Sequence, residues 1–262
     1  MTSEAQDLAQ AIESLTRGLR PMIVEARHDP AETRYKADGS AVTDLDLALE
    51  DRLAAGLQEI LPGVGIVGEE GGVRVEGTTR WVIDPLDGTA NFAAGSPLFG
   101  MQMALLEGEA ARFSAIYEPM RDAFSWAMAG EGAWHEGRRL RLPTADEAQP
   151  LSRALLSVDL SQSGLFVKEP DTLASLRARV FKIRSIGSIA LQLRDVALGV
   201  HAAHVGHRGT PSALHDLAPG ALMVEEAGGF ATDFAGRNAL VHRTGLIAAA
   251  PGIHQALLDH FA

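Results

Sequence analysis

The stretch Trp81-Val82-Ile83-Asp84-Pro85-Leu86-Asp87-Gly88-Thr89-Ala90-Asn91-Phe92 constrains this chain more than any other. Its first three residues are bulky and apolar, and they read as a strand that carries the chain inward. That strand delivers two carboxylates, Asp84 and Asp87, three residues apart, with Pro85 and the Leu86 carbonyl between them. Gly88-Thr89 follows, a small-residue turn that offers backbone N–H groups and a hydroxyl. Carboxylates, carbonyls and water are the ligands that Mg²⁺ prefers. Amides in a glycine-containing turn suit a phosphate. Together they point to metal-assisted chemistry on a phosphate ester. The plainer alternative is a strand that ends in a polar turn, since Asp-Pro and Asp-Gly are ordinary turn dipeptides.

Two other segments bear on that choice. Upstream, Ile66-Val67 runs into Gly68-Glu69-Glu70-Gly71-Gly72. Adjacent carboxylates repel each other unless cations or solvent screen them. Downstream, His215-Asp216 precedes an Ala/Leu/Met-rich stretch, read as a buried helix over Gly220–Ala227 with Gly228-Gly229 as its stop. Taken alone, Asp216 is an N-cap or first-turn acid favoured by the helix dipole.

In order and spacing these pieces resemble the inositol monophosphatase family, metal-dependent and lithium-sensitive phosphatases. Gly68-Glu69-Glu70, Asp84 to Phe92, Asp216-x-Ala218-x-Gly220 and Glu226-Ala227-Gly228-Gly229 carry the resemblance. Lys36 followed by Asp38-Gly39-Ser40-Ala41-Val42-Thr43-Asp44-Leu45-Asp46 is similar to the family's lysine loop and V-T-x-x-D motif. Arg184-Ser185-Ile186-Gly187-Ser188-Ile189-Ala190-Leu191 is similar to its G-S-x-A turn. The resemblance implies an α+β fold, a layered αβαβα sandwich of two lobes with the active site between them. Residues 1–142 would form an N-terminal α+β lobe with most metal ligands. Residues 143–262 would form a C-terminal α/β lobe that supplies Asp216 and the leaving-group pocket.

The resemblance also implies roles. Glu69, Asp84 and the Leu86 carbonyl would hold one Mg²⁺, and Asp84, Asp87 and Asp216 a second, with Asp84 bridging. Two or three ions are implied, with Mn²⁺ able to substitute. Thr89, Asp46 and Glu69 form the implied catalytic set, in which Asp46 takes the proton of the Thr89 hydroxyl. Asp87, Gly88, Thr89, Gly187, Ser188 and Arg208 would lie against the substrate, and Lys36 would be a loop cation near the metals. Ordinary roles stand beside these: Asp46 as a first-turn helix acid, Lys36 as a solvated lysine, Glu70 as a support to Glu69 or a solvated acid. A homodimer is implied by the resemblance alone.

The chain departs from the family pattern before Asp216. His215 stands where Trp is common, and the loop His201–Leu214 lacks the family's substrate-binding Glu and its G-x-x-D turn. His204, His207, Arg208 and His215 either meet a second anionic group or are surface residues. No fixed metal-ligand spacing among them supports zinc. Inositol monophosphate is the default substrate. Fructose 1,6-bisphosphate, 3'-phosphoadenosine 5'-phosphate and histidinol phosphate are alternatives, and a noncatalytic metal- or phosphate-binding protein is a reading of another class. A binding module would not need the Thr89–Asp46 pair.

The chain's 262 residues allow one domain of two lobes or two domains. A formal net charge of −11 argues against nucleic-acid polymers and anionic membranes as partners. The small-molecule phosphate ester that the resemblance implies would then need local cations in the site. With no Cys, disulfides, thiol catalysis and thiolate metal sites are excluded. Glu4, Asp7 and Glu13 make the first turns acidic, unlike a signal peptide, and no apolar run is long enough for a membrane span. A cytoplasmic protein is the expectation.

Periodicity predicts helices over 5–27, with a kink or end at Pro21, and over Asp44–Leu61. Residues 28–41 read as a polar loop. Strands are predicted at Gly65–Val67, Trp81–Ile83, Phe99–Leu106, Arg112–Tyr117 and Ala123–Ala129, the middle block as an antiparallel meander. After a break at Leu142–Pro150 come a strand at Ala154–Val158, a helix at Asp171–Arg179 and a strand at Phe181–Ser185. A helix at Ile189–Leu198, a strand at Leu246–Ala250 and a helix at Gly252–Phe261 complete the prediction.

Overall fold

Apolar spacing of three and four residues puts Ala5, Ala9, Ile12, Thr16, Leu19 and Ile23 on one buried side of the first helix, α1 (Ser3–Ala26). The computed structural model describes residues 2–27, 34–35, 41–160, 169–208 and 212–262. Thr2 caps α1 by accepting the Ala5 N–H at 3.3 Å. The helix does not end at Pro21: Pro21 lies inside α1, and burial of Leu19 and Ile23 on either side offsets its missing hydrogen bond. A two-residue ladder, β1 (Arg34–Tyr35) with β2 (Ala41–Val42), lies within the span read as a loop. Helix α2 (Asp44–Ile60) follows, with Leu45, Leu49, Leu53 and Leu57 facing inward.

The next run of strands makes one eight-stranded sheet: β3 (Gly65–Gly68), β4 (Gly72–Val75), β5 (Thr79–Asp87), β6 (Gly100–Glu107), β7 (Ala110–Glu118), β8 (Ala123–Met128), β9 (Gly132–His135) and β10 (Arg138–Arg139). A short helix, α3 (Thr89–Ala93), sits between β5 and β6. The meander is antiparallel as expected from β5 to β10, whereas β3 runs parallel to β5. β4 escaped prediction because Val73 and Arg74 are both exposed, so no inward face marks it.

The second half builds a five-stranded sheet in the order β12-β11-β13-β15-β14, from β11 (Leu155–Val158), β12 (Lys182–Arg184), β13 (Ala203–Arg208), β14 (Phe230–Thr232) and β15 (Gly245–Ala249). Its helices are α4 (Pro170–Arg179), α5 (Ile189–Ala197), α6 (Leu214–Glu226), α7 (Ala239–His242) and α8 (Pro251–Phe261). Two expectations need correction here. The segment read as a loop, His201–Leu214, contains the central strand β13, because Ala203 and Val205 are fully buried in the core of this sheet. Helix α6 starts at Leu214, not near Gly220, and passes through Pro219. It ends as predicted, with Gly228 at φ +97°, a left-handed stop. The Glu226 carboxylate ties that end to the large sheet by accepting the Gly130 and Gly132 N–H groups at 2.7 and 2.8 Å.

Three apolar clusters define five layers. Helices α1 and α2 cover one face of the large sheet through Ile12, Leu49, Leu53, Trp81, Ile83 and Phe113. Helices α5 and α6 fill the space between the sheets, where Leu193, Val196, Ala218 and Leu222 meet Val82 and Ile116 from one side and Leu246 and Ala248 from the other. Helices α4 and α8 cover the far face of the small sheet through Leu176, Ile253, Leu257 and Phe261. The fold is thus the layered αβαβα sandwich expected. The Trp81-Val82-Ile83 run of β5 is apolar throughout because Trp81 and Ile83 face α1 and α2, Val82 faces the central helices, and both faces are buried. Among the described residues, no helix is long and apolar enough to cross a membrane.

The central helices touch at Gly220, where an added Cβ would come within 2.3 Å of Leu193 Cβ. Gly220→Ala should therefore destabilise the protein by about 1–3 kcal/mol through overpacking. Urea unfolding measures it, and a change under about 0.5 kcal/mol would mean that the helices can separate at no cost.

Candidate active site

The site begins where β5 runs out of ladder. Asp84 pairs with Gln102 and Asp87 with Gly100, so one extra residue is accommodated between them. Pro85 has no N–H to give the ladder, and a bulge is where a strand can hold it. The Asp84 carboxylate, 2% exposed, accepts the Leu86 N–H at 3.0 Å and the Gln102 side-chain amide at 3.2 Å. Asp87 reaches across to the second half of the chain. Its Oδ2 accepts the Ser188 hydroxyl at 2.5 Å and the Ala190 N–H at 2.7 Å, at the start of α5.

Gly88 then turns the chain with φ +98°, and a Cβ there would meet the Gly187 and Leu98 carbonyl oxygens and Phe99 Cβ, each at 3.2 Å. Only glycine satisfies both conditions. The Asn91 amide donates to the Leu98 and Ile186 carbonyls at 2.7 and 2.8 Å and clasps the same two segments together. Gly187 and Ser188, expected to lie against substrate, here brace the Asp87-Gly88 turn.

Thr89 opens α3. Its hydroxyl lies 2.9 Å from Asp46 Oδ1 and 3.0 Å from the Leu86 carbonyl oxygen. The other Asp46 oxygen accepts the Thr43 N–H at 2.8 Å and the Thr43 hydroxyl. Asp46 therefore does both things its position suggests: it caps the start of α2 and it faces Thr89. Glu69 follows β3, and its N–H donates to the Ile83 carbonyl at 3.1 Å, which sets it beside the end of β5. Asp216 stands in the first turn of α6, partly exposed, with His215 Nε2 3.7 Å from its Oδ1.

These acids feel one another. Burial first, then the charges of Glu69, Asp87 and Asp216, hold the Asp84 carboxyl well above the ordinary range. Burial pushes Asp87 up to about 6, against the pull of the Ser188, Ala190 and Ile189 donors. Burial also raises Asp46, opposed by its bonds from Thr43 and Thr89. Four carboxylates crowd one buried strand end, a donor set of the kind a hard divalent cation takes. Among the described residues, no three acidic or histidine side chains converge on a single ion position, and Asp84 and Asp87 accept hydrogen bonds from Leu86, Gln102, Ser188 and Ala190. The residues fit such an ion in chemistry and burial.

Other expectations fare differently. Lys36 lies outside the described residues. Arg208 ends β13 opposite Gly245, and the side chains of His207 and Arg208 lie outside them too. His204 does not face a substrate: it is fully buried in the small sheet with Nδ1 3.1 Å from the Ser157 hydroxyl, and His201 is 4% exposed. Residues that the sequence reading passed over complete the site. Gln102 carries no local motif, and Asn91 sits within the Asp84 to Phe92 motif without having been given a role. Glu50 does leave a signal, an acid one turn after Asp46 on the inward side of α2, beside Leu49 and Leu53. It is fully buried, and it accepts the Glu70 and Gly71 N–H groups at 2.8 Å each.

The fold and this acidic strand end define a class of phosphatase-type hydrolases. The model of the inositol monophosphatase family matches residues 4–262, and the chain belongs to that family. An inositol-1-monophosphatase from Mesorhizobium japonicum is 34% identical over 232 residues, covering 87% of this chain and 85% of the relative. The solved structure of the extragenic suppressor protein suhB from Bartonella henselae superposes with a TM-score of 0.86 at 26% identity, over 97% of this chain and 98% of that one. An IMPase/NADP phosphatase solved with Mg²⁺ and phosphate shares the fold, with a TM-score of 0.83 at 22% identity over 98% and 95% of the two chains.

The raised acids set a pH dependence for the metal-free protein. The folded-state value of Asp87 is about 6, above the ordinary value of about 4. The contribution of such a group is complete below about pH 4 and is lost as pH rises through 6, because the folded state keeps a proton that the unfolded chain releases. Asp87→Asn should thus gain in melting temperature relative to wild type as pH rises from 4 to 6.5 in chelator. A difference that stays flat over that range would show that Asp87 is not held protonated.

Proposed function

We propose that this chain is a Mg²⁺-dependent phosphomonoesterase acting on small phosphorylated metabolites, inositol monophosphate first among them. Membership in the inositol monophosphatase family supports a phosphatase. The observation that carries the mechanism is the Thr89 hydroxyl at 2.9 Å from Asp46, next to the buried acids at the end of β5. Glu69, Asp84, the Leu86 carbonyl, Asp87 and Asp216 would hold the ions. When bound, such ions neutralise phosphate charge and lower the pKa of water.

The chain's own groups do the rest. Asp46, with raised proton affinity, accepts the Thr89 proton and so turns the hydroxyl lone pairs toward an attacking water. The Gly88 and Thr89 amides bind phosphate oxygens at the turn. The bulge at Pro85 and the brace from Ser188 and Ala190 keep the carboxylates in place as the ester enters. Lithium inhibition would follow from Li⁺ at the Asp87–Asp216 side. Bisphosphorylated substrates are a second reading, but with His204 in the core any second anion site would fall to His207, Arg208 or His215.

A phosphate-release panel over inositol, sugar and nucleotide phosphates, run with and without chelator, tests the proposal. Activity should vanish in chelator, return with Mg²⁺ or Mn²⁺, and fall by about a hundredfold or more in Asp84→Asn. Turnover that survives excess chelator would refute the metal mechanism. Thr89→Ala and Asp46→Asn should each cost nearly as much as the pair together, since groups acting as a unit are not additive. Additive losses in the double variant would separate the two residues.

A further inference from the structure

The Glu50 carboxylate is buried without being used by the mechanism above. Both its oxygens are committed. Oε2 accepts the Glu70 N–H at 2.8 Å, and Oε1 accepts the Gly71 N–H and the Arg74 Nε–H, each at 2.8 Å. Arg74 itself is anchored to Asp51 Oδ1 at 2.6 Å. The fit around the carboxylate is tight on the backbone side. A Cβ on Gly68 would lie 2.3 Å from Glu50 Cδ, and one on Gly71 would lie 2.6 Å from Arg74 Nε and 2.8 Å from Glu50 Oε1. The glycines on either side of Glu69-Glu70 thus have no side chain because Glu50 and Arg74 occupy that space.

A buried carboxylate is costly unless it is paired and fully hydrogen-bonded. An apolar residue at position 50 would fill α2 more cheaply, so the charge needs a reason. Glu50 stands four residues after Asp46, so one face of one rigid helix carries both. Asp46 meets Thr89 from that face, and Glu50 meets the turn that displays Glu69. We propose that Glu50, with Arg74, is a positioning residue that fixes the Glu69 turn for cation binding, and that α2 sets this turn in register with the Thr89 hydroxyl. This rests on Glu69 being a cation ligand.

Mn²⁺ binding to the full-length, metal-free protein without substrate tests it, with free Mn²⁺ read by electron paramagnetic resonance and folding read by circular dichroism. Glu69→Gln should weaken one class of Mn²⁺ site. Glu50→Ala should weaken the same class by about ten- to hundredfold, the effect expected when the support behind a ligand is lost. Glu50→Gln keeps one acceptor oxygen and should recover part of the affinity. In turnover, Glu50→Ala should raise the Mg²⁺ needed for half activation while leaving the ester KM at saturating Mg²⁺ unchanged. A purely structural Glu50 would lower only the melting temperature. Wild-type Mn²⁺ affinity in Glu50→Ala, alongside a weakened Glu69→Gln, would overturn the positioning role. If Glu69→Gln itself binds Mn²⁺ like wild type, the cation-ligand reading falls and takes this inference with it. Should Glu50→Ala fail to fold, Glu50→Gln decides alone, and an unshifted isotherm there overturns the proposal.

Discussion

A carboxylate cannot be taken out of water and set among three others without consequence, and Asp84 is in that position at the end of β5. Its surroundings supply hydrogen bonds from Leu86 and Gln102, and the charges it feels most strongly are those of Glu69, Asp87 and Asp216. The charged form is disfavoured, and the site acquires an affinity for protons or cations. Much of the surrounding architecture serves to hold that unfavourable cluster in place. β5 is buried on both faces, its bulge is capped by Pro85, and the two halves of the chain are joined where Asp87 meets Ser188 and Ala190.

The support is distributed over distant elements, and each contact has a definite physical role. Helix α2 brings Asp46 and Glu50 to two different parts of the cluster from a single rigid face. Helix α5 presents its first free amides to Asp87, where an acid is favoured by the unpaired N–H groups of a helix start. Asn91 ties the Gly88 turn to Leu98 and Ile186, so that turn is fixed from outside itself. Glu226 anchors the far end of α6, the helix whose first turn carries Asp216. Such anchoring is what a site built on packed elements requires if its groups are to stay aligned to a few tenths of an ångström.

Negative charge of the whole chain and negative charge of the site act in the same direction. Under the proposed phosphatase reading, a phosphate ester approaching this strand end would meet a repulsive field until cations compensated it, which would tie substrate binding to metal binding. That linkage follows from the charges themselves and holds whichever ester is the substrate.

Much was legible in the residues alone. The acids Glu69, Asp84, Asp87 and Asp216 sit in short segments whose local pattern, apolar run then acidic turn, marks a strand end or helix start, and backbone chemistry is local. Helices α1 and α2 and the strands β3, β5, β6, β7 and β8 of the large sheet announced themselves because one-sided or two-sided burial leaves a period in the sequence. What failed did so where burial is set by partners far along the chain. β13 hid because His204 looks like a polar loop residue until Ser157 on β11 pairs with it. β4 hid because its side chains face water. Pro21 reads as a kink or an end and the later helix reads as starting only at Gly220, yet α1 and α6 run through Pro21 and Pro219. The Glu50 anchor, the Gln102 contact to Asp84 and the bracing of Asp87 by Ser188 join residues 18 to 101 positions apart. The sequence by itself determined which groups are acidic and which segments are apolar. Only the tertiary structure decided which acids come near one another, because proximity across layers is a property of the packed helices and sheets and of no single segment.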